Sequence, residues 1–331
     1  MDYQDLIDPE LQKTARVMPF NRRIVAVGNV YQAAAWKLAK IPAGITVKAI
    51  ETAGYQRLKL KTEIFMPADP EGPMPALIYV HGGAFCYKAA TYHKQLACIY
   101  AAKAKCKVFF PDIHLAPRYP YPAALEDVRS LYRYVTEHAE ELGVDPDRIG
   151  LAGDSSGAAI AALVCNSSGK DGLPEPCLQM LIYPLTDADM ETPSMRRYTE
   201  APNWGSGNMP LVWKLYFGDQ NPEAFEDAEG GVLNEEFKKE ALPMHSSLPA
   251  VIPDTYIETT EIDCLHDEGI LYGRRLEEAG ANVEINDTKG TFHGYDTALD
   301  TRIVINAVKK RISFLRGSSG VIVGEKHPLP L

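Results

Sequence analysis

From residue 76 onward the chain alternates short apolar runs with helical stretches, and this rhythm limits the fold more than any other feature. The apolar runs are "ALIYV", "KVFFP", "RIGLAG", "LQMLIYP", "DTYIETTE" and "ANVEIND". The stretches that separate and follow them are "HKQLACIYAAKAK", "AALEDVRSLYRYVTEHAEEL", "SGAAIAALVCN", "HDEGILYGRRLEEAG" and "LDTRIVINAVKKRISFL", each of helical length and composition. Strands joined by helices cannot pair through tight hairpins. They predict an α/β fold: a mostly parallel sheet with right-handed crossovers and flanking helices. "ALIYV" is apolar without interruption, as a central strand buried on both faces requires. Upstream, "GITVKAIETA" and "YQRLKLKTEIFM" predict two more strands. The second alternates polar and apolar residues, as an edge or half-buried antiparallel strand does.

Two regions break the rhythm. Residues 1–44 read as amphipathic helix and loop, with a helix near "VYQAAAWKLAK". Residues 186–250 are rich in Pro, Met and aromatics, and carry Trp204, Trp213, Tyr216 and Phe217. A long insertion beside an α/β sheet is commonly a lid. The expected organisation is an N-terminal cap segment over 1–44, a core over 45–185 and 251–316, a cap insertion over 186–250, and a tail over 317–331.

The chain has 331 residues, 46% of them hydrophobic, enough for a large core. Its 44 acidic and 34 basic residues leave a net charge of −10, which argues against nucleic acid and anionic membranes as main partners. The cysteines at 86, 98, 106, 165, 177 and 264 form no CxxC pair and no zinc-spaced Cys/His cluster. They read as buried free thiols in a reducing compartment. The start "MDYQDLIDPELQKTARV" has acids where a signal peptide carries bases, and it lacks an apolar core. No apolar run approaches the ~20 residues that span a bilayer. A cytoplasmic location without a membrane span is expected.

The chemistry centres on Gly153-Asp154-Ser155-Ser156-Gly157, between the strand "RIGLAG" and the helix "SGAAIAALVCN". This is G-x-S-x-G with Ser155 at its centre. A frame on Ser156 would need glycine at Asp154 and Ala158. Such a serine sits on a sharp strand-to-helix turn with its Oγ exposed above the sheet, and bulk two residues away would strike backbone. Ser156 then begins the helix, and its N–H faces a developing oxyanion. By itself the pattern fits a serine N-cap equally well. A second motif separates the readings. His81-Gly82-Gly83-Ala84 directly follows "ALIYV", so the backbone N–H groups of Gly82 and Gly83 can approach a substrate oxygen.

A serine nucleophile needs a base, and the base an orienting acid, in the chain order Ser, Asp or Glu, His. His293, in "KGTFHGYD", follows the strand "ANVEIND" on the same sheet edge as Ser155. His266 opens a helix, His245 lies in the insertion and His327 in the tail. Asp263 stands just past the end of "DTYIETTE", with Glu258, inside that strand, as the second candidate. Asp267 and Glu268 fall in a first helical turn, where acids are expected for dipole reasons alone.

Together these segments resemble the hormone-sensitive-lipase-like branch of the α/β-hydrolase esterases. "HGGAF" is similar to its HGGG motif and "GDSSGA" to its GDSAGG motif. "IDCLHDEG" is similar to its aspartate loop, "FHGY" to its histidine motif, and "DIHLAPRYPYPAALEDV" to its YRLAPE segment. The resemblance covers about residues 55–315. It implies Ser155 as nucleophile, His293 as base and Asp263 as acid. Gly82, Gly83 and Ser156 are implied as oxyanion donors, and the N-terminal segment and insertion as a helical cap. Departures are Ala84 for the third glycine, Ser156 and Ala158 in the nucleophile motif, Cys264 and His266 in the aspartate loop, and Ile113-His114 with Arg118 in the fifth segment. None removes a catalytic group.

The expected activity is hydrolysis of small to medium carboxylic esters through an acyl-enzyme. Lactone or amide hydrolysis and acyl transfer use the same triad. A non-catalytic binder on this fold is the reading from another class, but such relatives typically lose the histidine that is present here as His293. Ala84, Phe85, Tyr87, Trp204, Trp213 and Tyr216 are the candidate substrate contacts. Packing of the insertion on the core accounts for any single one of those aromatics as well. No metal or organic cofactor is implied, and monomer and dimer stay open.

Overall fold

The fully apolar run before "HGGAF" becomes β3 (Met74–Val80), every residue of which is buried. The computed structural model describes residues 3–70, 72–169, 172–218 and 233–318. β3 lies inside an eight-stranded sheet with β1 (Ile45–Ala53), β2 (Lys59–Pro67), β4 (Lys107–Pro111), β5 (Val144–Asp154), β6 (Leu178–Ile182), β7 (Asp254–Ile262) and β8 (Val283–Phe292). The order is β1-β2-β4-β3-β5-β6-β7-β8. β1, β2 and β4 pair antiparallel and the remaining neighbours pair parallel. The alternating "YQRLKLKTEIFM" is half-buried, as its pattern predicts, yet it is interior: β1 covers its outer side.

Ten helices are described: α1 (Arg22–Leu38), α2 (Thr91–Lys103), α3 (Ala123–Glu137), α4 (Ala139–Leu142), α5 (Ser156–Ser167), α6 (Pro193–Arg197), α7 (Met209–Phe217), α8 (Glu235–Ala241), α9 (His266–Glu278) and α10 (Arg302–Ser318). The single long helix expected over "AALEDVRSLYRYVTEHAEEL" is two, because His138 leaves helical geometry (φ −114°, ψ 23°). α3 buries Ala124, Leu125, Val128, Leu131, Tyr132 and Val135, a helical-period stripe. α1 starts before "VYQAAAWKLAK", where the Asn21 side chain accepts the N–H groups of Arg23 and Ile24, each at 3.0 Å. Arg311 on α10 reaches the Tyr100 hydroxyl on α2 (3.4 Å), and Tyr272 on α9 donates to Asn166 on α5 (3.1 Å). These two bonds join helices that lie beside each other against the sheet.

The chain order reverses beside β3, which has β4 on one side and β5 on the other. A reversal opens a crevice at the carboxyl ends of the flanking strands. The altered YRLAPE-like segment is rebuilt around Asp127, whose carboxylate accepts the Tyr55 N–H (2.8 Å), the His114 N–H (2.7 Å) and the His114 ring (2.8 Å). The N-terminal segment lies against the insertion: Asn203 donates its N–H to the Arg16 carbonyl (2.7 Å), and the Phe20 and Trp204 rings meet edge-on at 5.2 Å. Residues 219–232 of the insertion and 319–331 of the tail, with His327, lie outside the described residues.

Candidate active site

Ser155 stands at the junction of β5 and α5 with φ 54° and ψ −123°, a conformation a non-glycine residue rarely adopts. A Cβ on Gly153 would sit 2.4 Å from the Gly157 carbonyl, and one on Gly157 only 2.2 Å from the Val80 carbonyl oxygen. Only hydrogen fits at either position, which is the physical reason for the glycine frame. The Ser155 N–H donates to the Ile182 carbonyl (2.9 Å), tying the bend to the end of β6.

Register then assembles the site. Val80 pairs with Gly153, so the "HGGAF" loop and the serine bend leave the sheet side by side. Ile262 pairs with Phe292, so Asp263 and His293 do the same one strand pair further along. The His293 Nε2 lies 2.9 Å from the Ser155 Oγ, and its Nδ1 lies 2.8 Å from the Asp263 Oδ2. All three residues are buried. The Thr260 hydroxyl (2.7 Å) and the Leu265 N–H (2.9 Å) also donate to the Asp263 carboxylate. With Nδ1–H directed at that carboxylate, the Nε2 lone pair faces the serine hydroxyl.

The other candidates are accounted for elsewhere. Glu258 points from mid-strand into the core and pairs with Arg311. His245 bonds Asp187 (2.9 Å), and His266 bonds Asp267 (2.8 Å) and Asp287 (3.2 Å). The Asp287 contact raises the His266 pKa above the usual imidazole range. Asp187, Asp189 and His245 converge within 4.8 Å, but the Lys238 ammonium already pairs with Asp189 (2.5 Å), an arrangement of charge balance.

Gly82 and Gly83 must also be glycine. A Cβ on Gly82 would lie 2.4 Å from the Asp154 carboxylate and 3.1 Å from the Ser155 Cβ. Gly83 has φ 123° and would meet the Tyr87 carbonyl at 2.8 Å. Ala84 and Phe85 follow with φ 52° and 57°, two strained residues in succession. Ser156 holds them: its Oγ accepts the Phe85 N–H at 3.1 Å. Nothing local to "GDSSG" announces that bond, which spans 71 residues of sequence. α1 holds the far end of the same loop, with Asn29 donating to the Cys86 carbonyl (2.9 Å) and accepting the Lys88 N–H (2.7 Å).

The acids of both motifs have structural partners that the sequence left unread. Asp154 is buried and accepts from Tyr79 Oη (3.1 Å) and His93 Nε2 (3.1 Å). Burial opposes its charge, but His93, His81 and the Gly82 N–H hold its carboxyl below the usual range. Burial, with the His93 ring beside it, pushes His81 down to about 4, so the imidazole of "HGG" is neutral and packs on Phe110. Asp267 and Glu268 do lie in the first turn of α9, and they also moor the insertion. Asp267 accepts the Ser194 N–H (2.8 Å), and Glu268 accepts those of Thr186 (3.1 Å) and Asp187 (3.2 Å).

The candidate substrate contacts fall into two groups. Phe85, Trp213 and Tyr216 are interior: the Phe85 and Tyr216 rings stack with centroids 3.6 Å apart, and Trp213 stacks on Phe217 at 5.5 Å. Tyr87 and Trp204 are half-buried on either side of Phe20, at 5.9 and 5.2 Å. Ala84 is buried in the strained loop between them and the serine bend.

Comparison with known proteins agrees with this geometry. A family model for the alpha/beta hydrolase fold matches residues 77–297. The esterase LipI of Mycobacterium tuberculosis is 30% identical over 300 residues, covering 89% of each chain. An ethyl acetate hydrolase of Pseudomonas putida is 31% identical over 228 residues, 69% of this chain and 68% of that one. Among solved structures, a bacterial heroin esterase superposes with a TM-score of 0.85 at 27% identity over 96% of this chain and 99% of that one. Sequence, strand order and these relatives agree: the chain belongs to the α/β hydrolase fold family, in its hormone-sensitive-lipase-like esterase branch.

Proposed function

We propose that this protein is a serine carboxylic-ester hydrolase working through Ser155, His293 and Asp263. The observation that carries the reading is the hydrogen-bonded chain from the Ser155 Oγ through His293 to Asp263, at 2.9 and 2.8 Å. His293 takes the Ser155 proton as the Oγ attacks the ester carbonyl. The N–H groups of Gly83 and Ser156 receive the oxyanion, each donor being worth roughly 3–4 kcal/mol in such sites; the Gly82 N–H, expected as a third donor, is engaged by the Asp154 carboxylate instead. Asp263 keeps the imidazole in its working tautomer and offsets the imidazolium charge. His293 then protonates the leaving alcohol, and water, activated by the same imidazole, frees the acid. In folded protein a fluorophosphonate should form a mass adduct on Ser155. Absence of reaction there, with the fold intact, would favour the non-catalytic binder.

Small to medium esters suit this site. The described parts of residues 1–44 and 186–250 together form its cap in this reading, moored by Asp267 and Glu268 on the core side and joined to each other by the Arg16–Asn203 bond. Trp213 Nε1 and Tyr216 Oη are buried without a hydrogen-bond partner among the described residues. Both belong to the aromatic stack behind Phe85, whose loop leads to Gly82 and Gly83, so they reach the site through that ring. On a series of p-nitrophenyl esters from acetate to palmitate, kcat/KM is expected to peak among the short chains. A maximum at palmitate would sink the size assignment.

The hydroxyl of Ser156 acts apart from its N–H. Ser156→Ala keeps the backbone donor, so most turnover should survive. It also strands the buried Phe85 N–H beside two strained residues, a loss of roughly 1–3 kcal/mol of stability. Chemical denaturation read alongside kcat separates the two effects. Loss of activity equal to that of Ser155→Ala would mean the bend has been assigned wrongly.

No helix among the described residues is long and apolar enough to cross a membrane. The six cysteines are all free, which supports a reducing, cytoplasmic setting.

A further inference from the structure

Of the nine large apolar side chains exposed among the described residues, six lie on α1 and in the loop that precedes it. On α1 they form a stripe: Val27, Val30, Tyr31 and Leu38 are 72%, 74%, 69% and 82% exposed, and Ala34 is exposed between them. Their spacing puts all five on one helical face. Val17 and Met18, 63% and 51% exposed, extend the patch into the preceding loop.

The helix is not loosely attached with this face outward. Its inner side is fixed by Asn29 to Cys86 and Lys88, by buried Val25, and by Trp36, which stacks on Phe110 (4.9 Å) and donates to Glu63 (3.1 Å). The apolar stripe is therefore a permanent feature of the surface.

Charge identifies what the stripe fits. Residues 11–50 contain no Asp or Glu, in a chain of net charge −10. They carry Lys13, Arg16, Arg22, Arg23, Lys37, Lys40 and Lys48, all exposed, and none enters an ion pair among the described residues. Every charged residue of α1 and of the segments at its two ends is a cation, and Glu63 meets the helix on its inner side through Trp36; an exposed apolar helical face with cations along it is the pattern of a helix that lies in a lipid headgroup layer. A second copy of the chain fits poorly. Antiparallel two-fold pairing about Val30 and Tyr31 would set Arg22 and Arg23 against Lys37 and Lys40 of the other copy, charges of one sign. The net negative charge resides elsewhere, and screening over about 8 Å lets a surface respond mainly to the face it meets.

We propose that α1, with Val17 and Met18, is a docking face for an anionic bilayer surface. The apolar stripe enters the acyl boundary while the surrounding lysines and arginines engage lipid phosphates. Because the inner side of α1 bonds the loop that carries Gly82 and Gly83, docking brings that loop to within about one helix diameter, ~10 Å, of the headgroups. This property goes beyond ester hydrolysis and does not depend on it.

The test is co-sedimentation of the full-length protein with vesicles of phosphatidylcholine containing phosphatidylglycerol, against vesicles of phosphatidylcholine alone, at about 0.1 M salt. The mixed vesicles are expected to bind about tenfold or more tightly than the neutral ones. Two double variants, Val30→Asp with Tyr31→Asp and Arg22→Gln with Arg23→Gln, should each lose about tenfold or more. Both should hydrolyse soluble p-nitrophenyl acetate at the parental rate, which certifies the fold and keeps this result separate from the catalytic assignment. No binding by the parent protein, or equal binding by parent and variants, overturns the proposal. So does a light-scattering shift from dimer to monomer in the Val30/Tyr31 variant, which would make the stripe an interface between two copies.

Discussion

Ser155→Ala is expected to lower ester hydrolysis by roughly 10⁴–10⁶-fold while leaving the fold in place. The magnitude follows from geometry: the Oγ that His293 approaches at 2.9 Å is the atom removed, and no other hydroxyl among the described residues is bonded to that imidazole. What remains is binding and oxyanion stabilisation without a nucleophile, which in comparable enzymes leaves a weak residual rate. The bend tolerates the change because the Ser155 N–H still reaches the Ile182 carbonyl and Gly153 and Gly157 are untouched. Circular dichroism should match the parent. The fluorophosphonate adduct should vanish with the turnover. Turnover within tenfold of the parent, or an adduct that persists on another residue, would remove Ser155 from the reaction.

Arg311→Met should produce the largest stability loss of any single change away from the triad. Arg311 is fully buried on α10 and bonds Glu258 on β7 through both Nε (3.0 Å) and Nη2, and Asp296 through Nη2 (3.0 Å). Burial opposes the Glu258 charge, but the guanidinium holds that carboxyl below its ordinary range, whereas burial pushes Asp296 up. Tyr295 (2.7 Å) and Tyr256 (3.1 Å) donate to Glu258, and Tyr183 (2.7 Å) donates to Asp296. Methionine fills much of the volume but strands two carboxyls in the core. Removing one partner of a buried pair costs about 3–5 kcal/mol. Guanidinium denaturation would read this as a lower midpoint with a similar slope. A midpoint unchanged from the parent would show that the pair is dispensable. The site should suffer too. Tyr295 and Asp296 directly follow the His293 loop, and the Tyr183 ring lies 4.7 Å from the His293 ring. Activity is therefore expected to fall at a lower temperature than in the parent.

Both experiments probe residues that the sequence exposed to different degrees. Ser155 was legible because the bend needs glycine two residues to either side, and that need is local. Asp263 was legible because it stands just past a recognisable strand; His293 stood on a loop after "ANVEIND", and the structure extends that strand as β8 to Phe292, directly before it. Arg311 sits in an ordinary amphipathic helix, and nothing in "KKRISFL" separates it from its basic neighbours. The same holds for the hydroxyl of Ser156, for His93 beneath Asp154, and for the role of Asp267 and Glu268 in mooring the insertion. Each depends on a partner 61 to 82 residues away. The net charge of −10 likewise says nothing about how charge is distributed. It averages over a chain in which residues 11–50 carry seven exposed cations and no acid.

By itself, then, the sequence determined the alternation of strands and helices in the core and which residues stand at or near the strand ends of the site. Those properties rest on side-chain periodicity and on steric demands acting over a few residues. Only the tertiary structure decided which strand ends meet. Strand order placed β3 beside β5 and β7 beside β8, and register aligned Val80 with Gly153 and Ile262 with Phe292. That pairing closes the 2.9 Å contact between two side chains 138 residues apart. It is set by burial of whole strand faces across the sheet, which no short stretch of chain encodes.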